Sequence, residues 1–312
     1  MRYHPDMKPL DADALRAAER THTGLLTRRS LILGAAGLTT LLGPATAAYA
    51  GIEAAQTLRV SRYRVTPGTW RPGHRLSITV IADLHAGGPN MGLARIRDVV
   101  DTANRQRSDL VVLLGDYVAT HRFVTEVVPA QVWAGELGRL QAPLGVYAIL
   151  GNHDWWHDVG TMRRAFADAG IPVLENDALL LGSPGARFWL TGLGDQLAHR
   201  LGRHQFRGVD DLPGTLKRVD TEDPVILLAH EPDIFPKVPE RVALTLCGHT
   251  HGGQIRIPFL WEHFVPSIYG ARYAYGHIVE GGRHLIVSGG LGTSGIPARL
   301  GVQPEILRVE IG

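Results

Sequence analysis

Five short apolar runs in the sequence each end in residues able to bind a metal ion. Ser77–Ile81 leads to Asp83-Leu84-His85, Leu110–Leu114 to Gly115-Asp116, and Val146–Leu150 to Gly151-Asn152-His153-Asp154. Val225–Leu228 leads to His230, and Val242–Leu246 to Gly248-His249-Thr250-His251. Ligands collect at the carboxyl ends of strands in open α/β sheets, so the placement matters as much as the residue types. Carboxylate, amide and imidazole donors suit divalent ions such as zinc, manganese or iron, and disfavour soft, all-thiolate sites. Asp83, His85, Asp116, Asn152, His230, His249 and His251 are too many for one ion. A carboxylate can bridge two cations, so the set fits a pair about 3.5–4 Å apart, the spacing that clamps phosphoryl oxygens. Taken singly, each of these residues would more often be a surface or core residue than a ligand; their recurrence at five strand ends is what points to metal.

The elements that must position them follow from the same pattern. Continuous apolar runs of four to six residues read as strands buried on both faces. Between the first two, Asn90 is expected to cap a helix carrying Leu93, Ile96, Val99, Val100 and Ala103 at helical spacing. Further helices are expected around Glu126 to Leu140 and from Asp158 to Ala169. Strands alternating with helices predict an α/β core with parallel pairing. Arg187 to Leu193 and Tyr273 to Ile311 read instead as strands with Gly turns, predicting a second, mixed sheet. The stretch from Gly289 to Gly295 lacks the Lys-Ser/Thr ending of a nucleotide-binding loop and is expected to form a tight turn or close backbone approach near the site.

The chain has 312 residues, 45% hydrophobic and 20% charged, which excludes disorder, collagen and coiled coil. Its 32 basic and 30 acidic side chains give a formal charge of +2, and residues 51–312 are formally neutral. That balance offers no footprint for a nucleic-acid backbone, and no such partner is expected. Cys247, the one cysteine, cannot form an intramolecular disulfide and reads as a small buried hydrophobe. No repeat or linker divides residues 51–312, so one domain is expected there. Residues 1–50 contain Thr27-Arg28-Arg29-Ser30-Leu31-Ile32-Leu33 and then an uncharged stretch, resembling a twin-arginine export signal. Ala48-Tyr49-Ala50 fits cleavage after Ala50; the alternative is an uncleaved membrane anchor. The expected location is the periplasm or the outer face of the cytoplasmic membrane, with the twin-arginine translocase as a partner.

The ordered set Asp83-x-His85, Gly115-Asp116, Gly151-Asn152-His153-Asp154, His230 and Gly248-His249-Thr250-His251 resembles the calcineurin-like metallophosphoesterases. Asp154-Trp155-Trp156, Ala229-His230-Glu231-Pro232-Asp233 and Gly252-Gly253-Gln254-Ile255-Arg256-Ile257-Pro258 further resemble its exported bacterial YaeI/YkuE-like phosphodiesterase branch. The resemblance implies a four-layer α/β/β/α sandwich of two mixed sheets, with a dinuclear metal site at the carboxyl ends of the strands. It implies that Asp83, His85 and His251 hold one ion, Asn152, His230 and His249 the other, and that Asp116 bridges them. His153 is then the general acid, and Asp154 the residue that orients its imidazole. The implied reaction is in-line attack of a metal-bridging hydroxide on the phosphorus of a diester.

Three further residues are candidates for substrate binding: Trp156 and His157, which follow the general acid closely, and Arg299. Arg256 and Arg272 could also meet phosphate by chemistry alone. The segment from Ile257 to Tyr275 concentrates aromatic and aliphatic side chains, in either a loop packed over the second sheet or a membrane-facing, acyl-chain groove. A lipid pyrophosphate hydrolase of the UDP-diacylglucosamine type is therefore an alternative to a phosphodiesterase. A non-catalytic, metal- or phosphate-binding envelope protein is the alternative of another class.

Overall fold

In β2 (Leu76–Ile81), β3 (Leu110–Leu114) and β4 (Val146–Ile149) successive side chains point to opposite faces of a sheet, and both faces are covered. The computed structural model describes residues 51, 54, 57–202, 205–258 and 260–312, all belonging to one compact unit, Tyr49–Gly312. The export signal expected over residues 1–50, with its cleavage after Ala50, lies outside the described residues. No helix among them is long and apolar enough to cross a membrane.

The first sheet has the order β1 (Arg59–Val65), β13 (Glu305–Ile311), β2, β3, β4. β2, β3 and β4 run parallel, while β13 is antiparallel to β2 and parallel to β1. The second has the order β11 (Gly276–Glu280), β12 (Arg283–Val287), β10 (Val242–Cys247), β9 (Val225–Leu228), β6 (Phe188–Gly192), β5 (Asp177–Leu181). Its four inner strands are parallel and its two edge strands antiparallel. A separate antiparallel ribbon joins β7 (His199–Gly202) and β8 (Gln205–Arg207).

Helices α1 (Leu93–Arg105), α2 (Ala130–Leu137) and α3 (Asn152–Asp168) cover the outer face of the first sheet, where Ile96, Val100, Trp133 and Phe166 pack with Val111, Leu113 and Ala148. Ile78, Val80, Val112 and Leu114 pack between the sheets against Leu190, Ile226, Leu244 and Ile286. On the outer face of the second sheet, α4 (Leu212–Lys217) and the 3-10 turn Pro232–Lys237 bury Trp189, Leu227 and Cys247. These are the four layers the resemblance implies, the outermost helical layer being thin.

Several expectations about the elements are corrected. Gly92 begins α1, and the Asn90 amide instead donates to Thr293 Oγ1 at 3.4 Å, so Asn90 joins the α1 entry to a late loop rather than capping the helix. α2 starts only after Pro129. α3 starts at Asn152, well before Asp158, because its first turn carries polar site residues without apolar periodicity. Asp158 has non-helical dihedrals (φ −164°, ψ 90°) and restarts the helix. Its carboxylate accepts from Thr161 N (3.1 Å) and Thr161 Oγ1 (2.6 Å), capping the restart at the position where the apolar pattern begins. β13 belongs to the first sheet, not the second.

Trp133 is fully buried, stacked on Tyr117 (5.3 Å between ring centroids) and edge-on to Phe166 (5.4 Å). Tyr117 follows Asp116, and its hydroxyl donates to Ile149 O (2.8 Å), so this aromatic cluster backs the loop between β3 and α2 and ties it to the end of β4. Trp133→Ala is expected to cost about 3–5 kcal/mol of stability, read as a lower denaturant midpoint with an unchanged slope.

Candidate metal centre

The seven strand-end residues meet at one edge of the sandwich, where β2, β3, β4, β9 and β10 all end. Asp83, His85 and His251 place ligand atoms within 4.8 Å of one another, and so do Asp116, His230 and His249. In the first group His85 Nε2 lies 3.1 Å from His251 Nε2, which lies 3.7 Å from Asp83 Oδ1. In the second, Asn152 Oδ1 joins His249 Nδ1 at 2.9 Å. Asp116 Oδ2 stands between the groups, 3.6 Å from His85 Nε2 and 3.2 Å from His230 Nε2. The structure thus brings together the seven residues expected to bind metal, and His85 and Asp116 also group with His153.

Backbone conformation aims these side chains. Asp83, His85, Asp116, His249 and His251 all have positive φ, between 44° and 68°. Each costs roughly 1–2 kcal/mol relative to ordinary backbone, a strain borne where a strand must turn abruptly and present a side chain. Gly290, at φ +69°, lets a late loop lie on Asp83, since a Cβ there would be 2.7 Å from Asp83 Cβ. The expected close backbone approach of this glycine stretch is therefore present, with Gly292 N donating to Asp83 O at 2.7 Å.

The donor set fits divalent cations. Asp83 Oδ2 is buried without a hydrogen-bond partner, and His230 Nε2 is buried with Asp116 Oδ2 beside it at 3.2 Å. His85 Nδ1 faces Val118 O (3.2 Å) and His230 Nδ1 faces Leu114 O (2.6 Å); a proton on each Nδ1 leaves the Nε2 lone pair for a metal. Burial pushes the Asp83 carboxyl up to about 7, with Asp116 adding to the rise and His230 opposing it. Burial likewise pushes His85 down to about 3, keeping it in the neutral form that ligates. Burial would also raise Asp116, but His230, His153 and His85 hold it well below the usual carboxylate range. Cations favour ionised carboxylates and neutral imidazoles, the forms that bind metal.

His153, on the first turn of α3, sits beside the bridge position, its Nε2 4.0 Å from Asp116 Oδ2 and 3.4 Å from Ser294 Oγ. Thr120 Oγ1 bonds its Nδ1. Burial lowers its pKa, opposed by Asp116. A cavity of about 520 Å³ opens here, lined on its polar side by Asp116, Asn152, His153, His249 and His251. Trp156 forms part of its wall as expected, anchored by Nε1 donating to Leu197 O (2.9 Å), with the Arg200 guanidinium stacked on its ring at 3.5 Å.

Three expected roles are not met. Asp154 does not orient the His153 imidazole: Gly151 N and Asp116 N donate to its Oδ2 (2.9 and 2.8 Å), and Tyr117 N to its Oδ1 (2.9 Å). Within helix α3 the carboxylate turns back to cap its own first turn. His157 is exposed and borders a separate pocket of about 120 Å³ with Val118 and Met162, because the helix carries it off the cavity face. Arg299 is fully buried behind the centre, donating to Gly292 O (2.8 Å) and Gly289 O (2.7 Å), with Nη2 3.2 Å from His251 Nδ1. It braces the glycine loop and a ligand rather than presenting its charge to substrate. Arg256 and Arg272 are likewise engaged, with Gly252 O and Glu280.

Two buried carboxyls to which the sequence pattern assigns no role, Asp195 and the motif residue Glu231, group with His230. Glu231 ties down Gln196, accepting from its N (3.2 Å) and its Nε2 (3.3 Å). Burial and the neighbouring Glu231 raise Asp195 well above the carboxylate range. A signal existed: Asp195 follows β6 just as the other polar residues follow their strands.

Asp154→Asn should weaken the loop that carries Asp116, since the amide presents a donor where backbone N–H groups need an acceptor. A loss of about 1.5–3 kcal/mol per charge-assisted bond is expected, together with lower bound-metal content by elemental analysis. The pH profile of the residual activity should keep its wild-type shape. A shifted acid or base limb would return Asp154 to the imidazole-orienting role.

Residues 76–253 match the calcineurin-like phosphoesterase family. The chain is 32% identical to an uncharacterised metallophosphoesterase of Aquifex aeolicus over 81% of its own length and 92% of that protein. It is 33% identical to the uncharacterised metallophosphoesterase YkuE of Bacillus subtilis, over 69% of this chain and 71% of that one. It is 32% identical to the phosphodiesterase YaeI of Escherichia coli, over 75% of this chain and 81% of that one. With the family match spanning the five strand-end ligand segments, the chain belongs to the calcineurin-like phosphoesterases, metal-using hydrolases of phosphoric ester bonds.

Proposed function

We propose that the protein is a phosphodiesterase with two divalent ions, one held by Asp83, His85 and His251 and the other by Asn152, His230 and His249, with Asp116 shared. The observation that carries this reading is the position of Asp116 Oδ2 between His85 Nε2 and His230 Nε2, with His153 at its cavity side. Ions at such a centre neutralise phosphoryl oxygens and bring the pKa of a water toward neutrality. The amino terminus of α3 adds its partial positive charge on the same side, favouring an anionic phosphoryl group.

His153 supplies the proton. As an imidazolium it donates Nδ1–H to the Thr120 hydroxyl oxygen and holds the Nε2 proton on the cavity side, beside the Ser294 hydroxyl, so that giving up this proton leaves a neutral ring. As an oxygen derived from water bonds to phosphorus, the opposite P–O bond breaks and the departing oxygen takes this proton. Trp156 borders the space that a leaving group would occupy. The substrate is a small-molecule phosphoester. The Arg28-Arg29 segment supports action in the envelope, after passage through the twin-arginine translocase.

Purified protein should hydrolyse bis-p-nitrophenyl phosphate with manganese or zinc. Chelation should abolish turnover, and metal addition should restore it and raise the melting temperature. Asp116→Asn and His153→Ala should each lower kcat by at least about 100-fold, the first with reduced metal content and the second with metal retained. Folded protein carrying two ions yet inert towards diesters would overturn the reading. Arg28→Lys with Arg29→Lys should leave the protein in the cytoplasmic fraction; normal export of that variant would remove the translocase from the account.

A further inference from the structure

The cavity over the centre is two-sided. Opposite the ligand cluster its wall is Trp156, Ile255, Ile257, Pro266 and Ile296. Among the described lining residues, the charged or titratable side chains are those of the centre itself. The wall's remaining polar groups are already engaged. Gln254 Nε2 donates to Ser294 O (3.0 Å) and Ile296 O (3.1 Å), and its Oε1 accepts from Ser294 N (2.8 Å). Thr250 Oγ1 donates to Ala274 O (2.6 Å). A sugar or glycerol arm would find few free partners there, whereas an apolar arm would lose none.

The same bonds hold this wall in shape. Gln254 fixes the loop bearing Ile296, while Asp233 takes the Ser267 hydroxyl and the Ile268 N–H (3.0 Å), fixing the loop bearing Pro266. Apolar character continues outwards on these loops, where Ile257, Leu260, Ile268 and Ile296 are all exposed, Ile268 at 84%. From this geometry we infer that one arm of the phosphodiester is an alkyl or acyl chain lying against Ile255, Ile257, Pro266 and Ile296. The phosphoryl group then sits at the metal cluster. The inference rests on the phosphodiesterase reading and specifies its substrate class.

A series of p-nitrophenyl alkyl phosphates with methyl, butyl and octyl arms tests it on the full chain with manganese, because the leaving group stays constant. kcat/KM is expected to rise about 3- to 4-fold per methylene until the wall is covered, chiefly through KM. Ile257→Asn and Ile296→Asn, both at exposed positions, should flatten that slope, and Ile296→Leu should preserve it. A flat series from an enzyme that turns over the methyl ester would overturn the apolar arm and leave the phosphodiesterase reading intact. Calorimetry with methylphosphonate and octylphosphonate separates the converse case. Tighter octylphosphonate binding without turnover of any diester would keep the apolar site and overturn the phosphodiesterase; equal binding would overturn the site. Offering the octyl ester free or in phosphatidylcholine vesicles identifies the source, faster turnover on vesicles assigning a membrane lipid and faster turnover of the free ester a soluble amphiphile.

Discussion

Asp116 holds one carboxylate oxygen between the two halves of a buried ligand set, and much of the surrounding backbone is arranged to keep it there. Its Oδ1 accepts from His153 N at 2.8 Å, tying the end of β3 to the start of α3. Its own N–H donates to Asp154, which also takes the amides of Tyr117 and Gly151. A second buried carboxyl so near the first is unfavourable; burial and then Asp116 push Asp154 up to about 7. Three backbone donors and a helix terminus offset that repulsion. The start of α3 is thus set by polar contacts to the Asp/His cluster rather than by apolar periodicity, and the helix restarts at Asp158 to resume packing on the sheet.

Concentrating imidazoles and carboxylates in so small a buried volume carries a cost that only a bound charge removes. Burial lowers His249 and His251, raises Asp83, and leaves polar atoms without partners. Positive φ at five ligands adds backbone strain. Both costs are supported from below by strands buried on two faces, whose apolar residues fill the inter-sheet core and the helix-covered face. Rigid strands holding a destabilised rim are what a preorganised site requires.

The strands and the convergence of the residues that follow them were legible because each signal is local: an apolar run followed at once by Asp, Asn or His. Which sheet a strand joins was not legible for β13, since Glu305–Ile311 reads equally well in either; pairing with β1 and β2 is a tertiary choice. The roles of Asp154 and Arg299 were misjudged for a related reason. Residue type shows that a carboxylate or guanidinium can serve an imidazole or a phosphate, but only the fold shows that backbone amides or carbonyls reach it first. His157 failed through helix geometry: one position beyond Trp156, it turns about 100° away and leaves the cavity face. Trp156 and the glycine stretch were placed correctly because nearness to a ligand in sequence is nearness in space when the connection is short.

The position of β13 has its own consequence for the centre. β12 ends at Val287 beside Cys247, at the edge where β10 delivers His249 and His251, and β13 begins at the edge where β2 delivers Asp83. The chain from Ser288 to Pro304 must therefore cross from one sheet to the other over the Asp/His cluster. Gly290 and Gly292 make the crossing close enough to bond Ala82 and Asp83, and Arg299 folds back to brace both the crossing and His251. Ser294 and Ile296 lie on the same crossing and line the cavity, one beside His153 and the other on the apolar wall. Had β13 continued the second sheet, this segment would have no need to pass over the ligands. The strand whose sheet the sequence pattern does not specify thus places residues from the far end of the chain around the cluster and on the wall of its cavity.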